Sequence, residues 1–410
     1  MTSAPTPSPS PRAVHGALRR TTETLARELA APTATAPDWS EFEWLIARAT
    51  AAMHGVSALL AGTLRWEGPP GWTAFLREQR QHIQGRHARL QELLERIDRG
   101  ARQEGIALVA LKGVELHARG LYAPGERPMG DVDLLVRASD CDHAARMLVT
   151  LGFREAMPTW KHRVFLQEHT QRPAALGEHV DNYLKVELHD RLREPLPLYP
   201  EEVTRWVFPS GALAGLNRYP STASLMTHLL LHAAGAMTFR ALRMLHVHDL
   251  ALLAARMSTQ DWDELLAQSA SDGGHWWAAP PLFVTARYYP AAISTRALEA
   301  LRQCCPRRLA RIARRRTLSE VSFSNLWIIA FPGIEWSHSP SRMAHYVLSR
   351  VRPSKHTLAL RQELVLTHLG AGASQWDRLS QGQRIVRWLT SRQPRSETMH
   401  PVLMALAQMR

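Results

Sequence analysis

With 410 residues, 45% of them hydrophobic and 21% charged, the chain can bury two or three substantial cores, and its composition is not that of a disordered or collagen-like polymer. A formal charge of +13 favours polyanionic partners such as nucleic acid, nucleotides or acidic peptides without choosing among them, and a plain solvated basic surface remains the alternative. Cys141, Cys304 and Cys305 make neither a disulfide framework nor a zinc spacing, so they read as reduced packing residues.

The opening M-T-S-A-P-T-P-S-P-S-P-R lacks the basic region and apolar core of a secretory signal, and residues 1–12 read as a flexible tail. The apolar run Phe323 to Ile334 contains a proline and is too short to span a bilayer. No membrane partner and a cytoplasmic location are therefore expected.

Residues 13–104 read as an N-terminal helical bundle. Apolar spacing predicts helices over Val14 to Leu29 and Trp39 to Leu64, with Ser40 and Glu43 spaced as a capping box, and a third from about Trp72 to Arg102. In that third helix Leu90, Leu93, Leu94, Ile97 and Ala101 make one apolar stripe that must pack against the next element.

Residues 105–200 carry the chemistry. Ile106 to Leu111 reads as a short buried strand, broken by Lys112-Gly113 ahead of a helix to about Leu121. A turn at a helix N-terminus favours an anion, and glycine permits close approach, so Lys112 and Gly113 are candidate phosphate ligands. The loop A-P-G-E-R-P-M-G then leads into Asp131-Val132-Asp133-Leu134-Leu135-Val136. In a strand Asp131 and Asp133 share one face while Val132, Leu134 and Val136 share the other, and Leu135 follows the carboxylates. Two carboxylates that close repel unless a cation neutralises them, and oxygen donors suit Mg²⁺ or Mn²⁺. Arg127 either binds triphosphate or locks the loop by pairing with Glu126 or an active-site aspartate.

The order K-G, a short helix ending in L-Y, an arginine, then G-D-V-D-L-L-V resembles the uncharacterised nucleotidyltransferase family of the polymerase-beta-like superfamily, over about Pro37 to Ala300. Lys112-Gly113 stands where many relatives have Gly-Ser or Gly-Gly. The resemblance implies an α+β fold, a mixed sheet core flanked by N-terminal and C-terminal helical domains, and the βαβ-like rhythm of the sequence after Asp131 puts the metal site at the edge of that sheet. The resemblance also implies transfer of an NMP from an NTP to a hydroxyl by two divalent ions.

After a helix expected to be capped by Ser139 and Asp142 and closed by Gly152, strands are predicted over Arg163 to Glu168 and Tyr183 to His189. In the second, Leu184, Val186 and Leu188 alternate with Lys185, Glu187 and His189. The resemblance makes Glu187 the third metal ligand and catalytic carboxylate beside Asp131 and Asp133; a solvated edge-strand glutamate is the alternative. His189 reads as a supporting residue, because Mg²⁺ prefers oxygen.

From Tyr199 on the chain reads as helical: residues 201–300 as a domain closing the cleft, 301–410 as a basic, mainly helical region with loops near Pro340 and Pro353. His228 and His232 have zinc-compatible i, i+4 spacing but no third ligand, so buried or hydrogen-bonded histidines are favoured. In a helix over Phe239 to Arg256, Asp249 points inward among leucines, either pairing with Arg243 or a histidine or facing the nucleotide cleft as a candidate nucleotide-binding residue. Trp262, Trp276 and Trp277 read as packing anchors. The segment Arg302 to Arg316 concentrates positive charge, as an RNA-tracking surface or a basic helix face. The acceptor stays open among RNA, peptide and small molecule, and a non-catalytic nucleotide- or RNA-binding scaffold with the same fold is the competing reading.

Overall fold

A computed structural model describes residues 9–156, 161–167, 175–197, 200–354 and 379–407. Its fold class is α+β, with a six-stranded mixed sheet wrapped by helices. Helix α1 (Pro11–Ala30) starts on an N-cap, Ser10, whose Oγ accepts the Ala13 N–H at 3.2 Å. Helical order thus begins inside the stretch read as a flexible tail.

The Ser40/Glu43 capping box forms as spaced and opens α2 (Glu41–Met53). The single run expected to Leu64 is instead two helices, α2 and α3 (Ser57–Thr63), meeting at 111°. The break lies at Gly55, whose φ of +68° takes a left-handed turn that glycine adopts without a Cβ clash. Helix α4 (Pro70–Gln103) then runs unbroken and buries the predicted stripe.

The sheet is ordered β3 (Phe153–Glu155), β4 (Arg163–Gln167), β5 (Lys185–His189), β2 (Val132–Val136), β1 (Ala107–Ala110) and β8 (Gly215–Asn217). β2 pairs antiparallel with β1 and parallel with β5, so the Asp-x-Asp strand is central, not at the sheet edge. Two features correct the helical reading after residue 199. A small hairpin of β6 (Arg193–Pro195) and β7 (Pro200–Glu202) precedes the helices, and β8 closes the sheet edge. Three-residue strands are too short to show an alternation that a sequence reading can detect.

One sheet face, with Leu108, Val132, Leu134, Val136, Val186 and Leu188, packs on α4 and on α6 (Cys141–Thr150). Ser139 does not cap α6; a 3-10 turn over Ala138–Asp140 leads into it, and Ser139 Oγ donates to Asp140. The opposite face carries Val109, Leu111 and Leu135 into a second, mainly helical core with α8 (Thr222–Thr238) and α9 (Met244–Arg256). Helix α9 starts later than expected because Arg240, at φ 56°, interrupts the backbone. Pro340 opens a helix, Pro340–Val351, where a loop was expected. The last helix, Ser396–Ala407, packs on α2 and buries Val402 and Ala405 in that same core, so the first and last helices of the chain share one interior.

Candidate active site

Sheet register assembles the site. The parallel pairing of β2 with β5 puts Asp133 beside Glu187, and two residues earlier, just ahead of β2, Asp131 meets Lys185 through a salt bridge. Residues side by side in register share a face, so three carboxylates and a lysine project together from two strands. The sheet face they occupy is the one turned toward α8 and α9. The antiparallel pairing of β4 with β5, Arg163 opposite Leu188, continues one residue to set His162 against His189, their rings 4.8 Å apart.

Ammonium groups hold the cluster. Lys112 Nζ lies 3.1 Å from Asp133 Oδ1, and Lys185 Nζ lies 3.0 Å from Asp131 Oδ2 and 2.6 Å from Glu187 Oε1. His189 Nε2 donates to Asp133 Oδ1 at 3.2 Å, and His162 Nε2 sits 3.4 Å from Glu187 Oε2. Burial alone would raise the Asp133 carboxyl, but Lys112 and His189 hold it well below the ordinary carboxylate range. Glu187 goes the other way: burial, Asp131 and Asp133 push it up to about 7. Burial works against the charge on Lys112 and Lys185, yet the surrounding carboxylates raise both. Burial also drives His162 down to about 3 and lowers His189.

Lys112 sits at a strained elbow between β1 and the short helix α5 (Gly113–Ala118), with φ 46° and ψ −112°. The Lys112 N–H is directed to Tyr219 Oη at 3.3 Å, and its ammonium faces Asp133. A Cβ on Gly113 would lie 2.3 Å from Arg127 Nη1, so the glycine admits a guanidinium. Arg127 in turn pairs with neither Glu126 nor an active-site aspartate. It grips Asp249 with two bonds, Nε to Oδ1 at 2.9 Å and Nη2 to Oδ2 at 2.8 Å, and Tyr122 Oη donates to Asp249 Oδ1 at 2.6 Å. Asp249 therefore joins α9 to the loop before β2, and its partner is neither Arg243 nor a histidine. Burial would raise its carboxyl, but Arg127 keeps it low.

These residues line a cleft of about 450 Å³ between the sheet and α8/α9. Its walls also hold Lys161, Glu194, Phe239 and Phe323, to which the sequence reading gave no site role, and Arg243, considered there only as a partner for Asp249. Lys161 pairs with Glu194, which also meets His232 Nδ1 at 3.3 Å. His228 Nδ1 meets Tyr219 Oη at 2.7 Å, so the two α8 histidines serve different partners and no zinc pair forms. Phe239 is 41% exposed, and solvent-facing Arg243 lies over the Phe323 ring at 5.8 Å. The role of Lys185 in the cluster does carry a sequence signal, its place two residues before Glu187 on one strand face.

Residues 40–277 match the family described as uncharacterised nucleotidyltransferase. The chain belongs to the uncharacterised nucleotidyltransferase family. Membership supports a general role in nucleotidyl transfer and implies an NTP substrate; nucleotidyltransferases generally use divalent metals. No curated protein and no solved structure matches the chain. The donor set fits such an ion. Three carboxylates face two ammonium groups, and burial with the neighbouring Asp131 and Asp133 makes Glu187 resist ionising, a penalty that a bound divalent cation would relieve.

Away from the cleft, the arginine-rich segment folds as two helices, Thr295–Cys304 and Arg307–Ala313, around a concavity of about 700 Å³ lined by Arg302, Arg307, Arg311, Arg314 and Arg315. Arg302 pairs with Glu299. Trp262, Trp276 and Trp277 are buried packing residues.

Proposed function

We propose that this protein transfers an NMP from an NTP to a hydroxyl-bearing acceptor, with Asp131, Asp133 and Glu187 holding Mg²⁺ or Mn²⁺. The convergence of these three carboxylates on one face of adjacent strands β2 and β5 carries the reading. Bound divalent ions would supply charge neutralisation at the α-phosphate and a more acidic acceptor hydroxyl. Lys112 and Lys185 keep the carboxylates compensated before loading and are released toward phosphate oxygens when it occurs. Arg243 and Lys161, on the cleft wall, meet the triphosphate. Phe239 offers an exposed ring on which a base can stack. Arg127 and Asp249, which line the cleft, hold its floor through their mutual pair instead of contacting nucleotide.

One observation favours the scaffold alternative: the two lysines already compensate most of the acidic charge. Incubation with each labelled NTP, Mg²⁺ and a cell extract separates the readings and shows whether RNA, peptide or metabolite receives the label. Label transfer that disappears in the Asp131→Ala/Asp133→Ala variant is the expected result. Absence of transfer together with no calorimetric heat for any Mg²⁺-NTP would sink the enzymatic reading.

A further inference from the structure

The two oxygens of Glu187 face different company. Oε1 lies with Lys185 and, through it, Asp131, so that side offers oxygen donors alone. On the other side Oε2 is 3.4 Å from His162 Nε2 and 3.8 Å from His189 Nε2, while His189 Nε2 is 3.2 Å from Asp133 Oδ1. The donor atoms of His162, Glu187 and His189 all fall within 4.8 Å of one another. An ion bound tetrahedrally at roughly 2.0–2.2 Å separates its ligand atoms by roughly 3.3–3.6 Å, and the two histidine nitrogens lie 3.4 and 3.8 Å from Glu187 Oε2, close to that spacing.

We propose that the histidine side of Glu187 is a second metal seat, formed by His162 Nε2, His189 Nε2 and Glu187 Oε2, that takes a nitrogen-accepting transition ion of the Zn²⁺ or Co²⁺ class in preference to Mg²⁺. It rests on the metal role given above to Glu187, but not on nucleotidyl transfer itself.

Three arguments carry it. Mg²⁺ demands oxygen ligands and keeps its waters, whereas imidazole suits Zn²⁺ and, above Mn²⁺ in the affinity order, Co²⁺. Two histidines whose strands bring them face to face from β4 and β5, each pointing at the same carboxylate, form a chelating pair by backbone register, not by side-chain chance. His189 is also buried, so the seat is screened from bulk water, which strengthens an ion's hold on its ligands. Glu187 thereby becomes the bridge between an oxygen seat and a nitrogen-containing seat, and a metal-dependent enzyme built this way uses two unlike ions.

The test uses the full chain, stripped with EDTA and titrated with CoCl₂ in excess Mg²⁺. Co²⁺ reports its geometry by colour, since tetrahedral coordination absorbs far more strongly in the visible than octahedral. The wild-type protein binds one equivalent with an intense tetrahedral spectrum. His162→Ala and His189→Gln weaken that binding by on the order of 100-fold. The His189→Gln variant keeps a donor for Asp133, and circular dichroism verifies that each variant is folded. Asp131→Asn, confined to the oxygen side, leaves the Co²⁺ spectrum intact while label transfer is lost. Weak octahedral absorption, or Co²⁺ affinity unchanged in both histidine variants, overturns the proposal. An intact Co²⁺ signal in a protein that transfers no nucleotide would leave the seat standing and remove the enzymatic reading.

Discussion

Replacing Asp249 with alanine strips Arg127 of both its carboxylate bonds, at 2.9 and 2.8 Å, in a place where the arginine is 8% and the aspartate 3% exposed. The guanidinium cannot be deprotonated, and it lies close against Gly113. Breaking one partner out of such a buried pair costs roughly 3–5 kcal/mol, most of it the uncompensated charge left behind. Tyr122 also loses its acceptor. Arg127→Met should be costly for the mirror reason, since Asp249 then keeps only the Tyr122 bond. The double variant Arg127→Met/Asp249→Ala should therefore lose clearly less than the sum of the two singles, because no bare charge remains. Urea unfolding of the four proteins provides the cycle, and calorimetric NTP affinity of the folded variants provides the second axis. Should Asp249→Ala unfold at nearly the wild-type midpoint yet fail to bind nucleotide, the pair is a ligand contact and the account of it as a structural clamp is wrong.

Other expectations follow from the same contacts. His54 is fully buried, accepts the Met244 N–H at 2.9 Å and pairs with Ser324 at 2.9 Å, and burial drives its pKa down to about 3. A base depressed on folding contributes fully above its unfolded value near 6.5 and loses that contribution as the pH falls toward 3. Between pH 7 and pH 5 wild type should lose about 2 kcal/mol more than His54→Gln, and parallel losses in unfolding experiments would contradict the burial argument. At the strained elbow, Lys112→Gly and Lys112→Ala both delete the ammonium but only glycine tolerates φ 46°, so the glycine variant should be the more stable by roughly 1 kcal/mol or more. Equal midpoints would mean the elbow is relaxed. If the arginine concavity tracks single-stranded RNA, changing Arg307, Arg311, Arg314 and Arg315 to glutamine should lower the slope of log affinity against log salt by about 3. An unchanged slope in a filter-binding series would reduce that segment to a basic helix face.

The chemistry of the site was legible in the chain before any coordinates, for a local reason. The two-residue period of a strand puts Asp131 with Asp133, and Lys185 with Glu187, on one face whatever surrounds them. Capping residues behave similarly, and Ser40 with Glu43 acts within four residues of sequence. What the sequence could not convey was which strands lie side by side and in what register, because that depends on contacts between residues tens of positions apart. Only the tertiary structure made β2 central, set Asp133 next to Glu187 and faced His162 onto His189. The same holds for Arg127: its neighbours in sequence offered Glu126 and the aspartates, while the packing of α9 against the loop delivered Asp249, 122 residues away. A charge buried by folding takes the partner that folding brings to it, and sequence separation sets no limit on that choice.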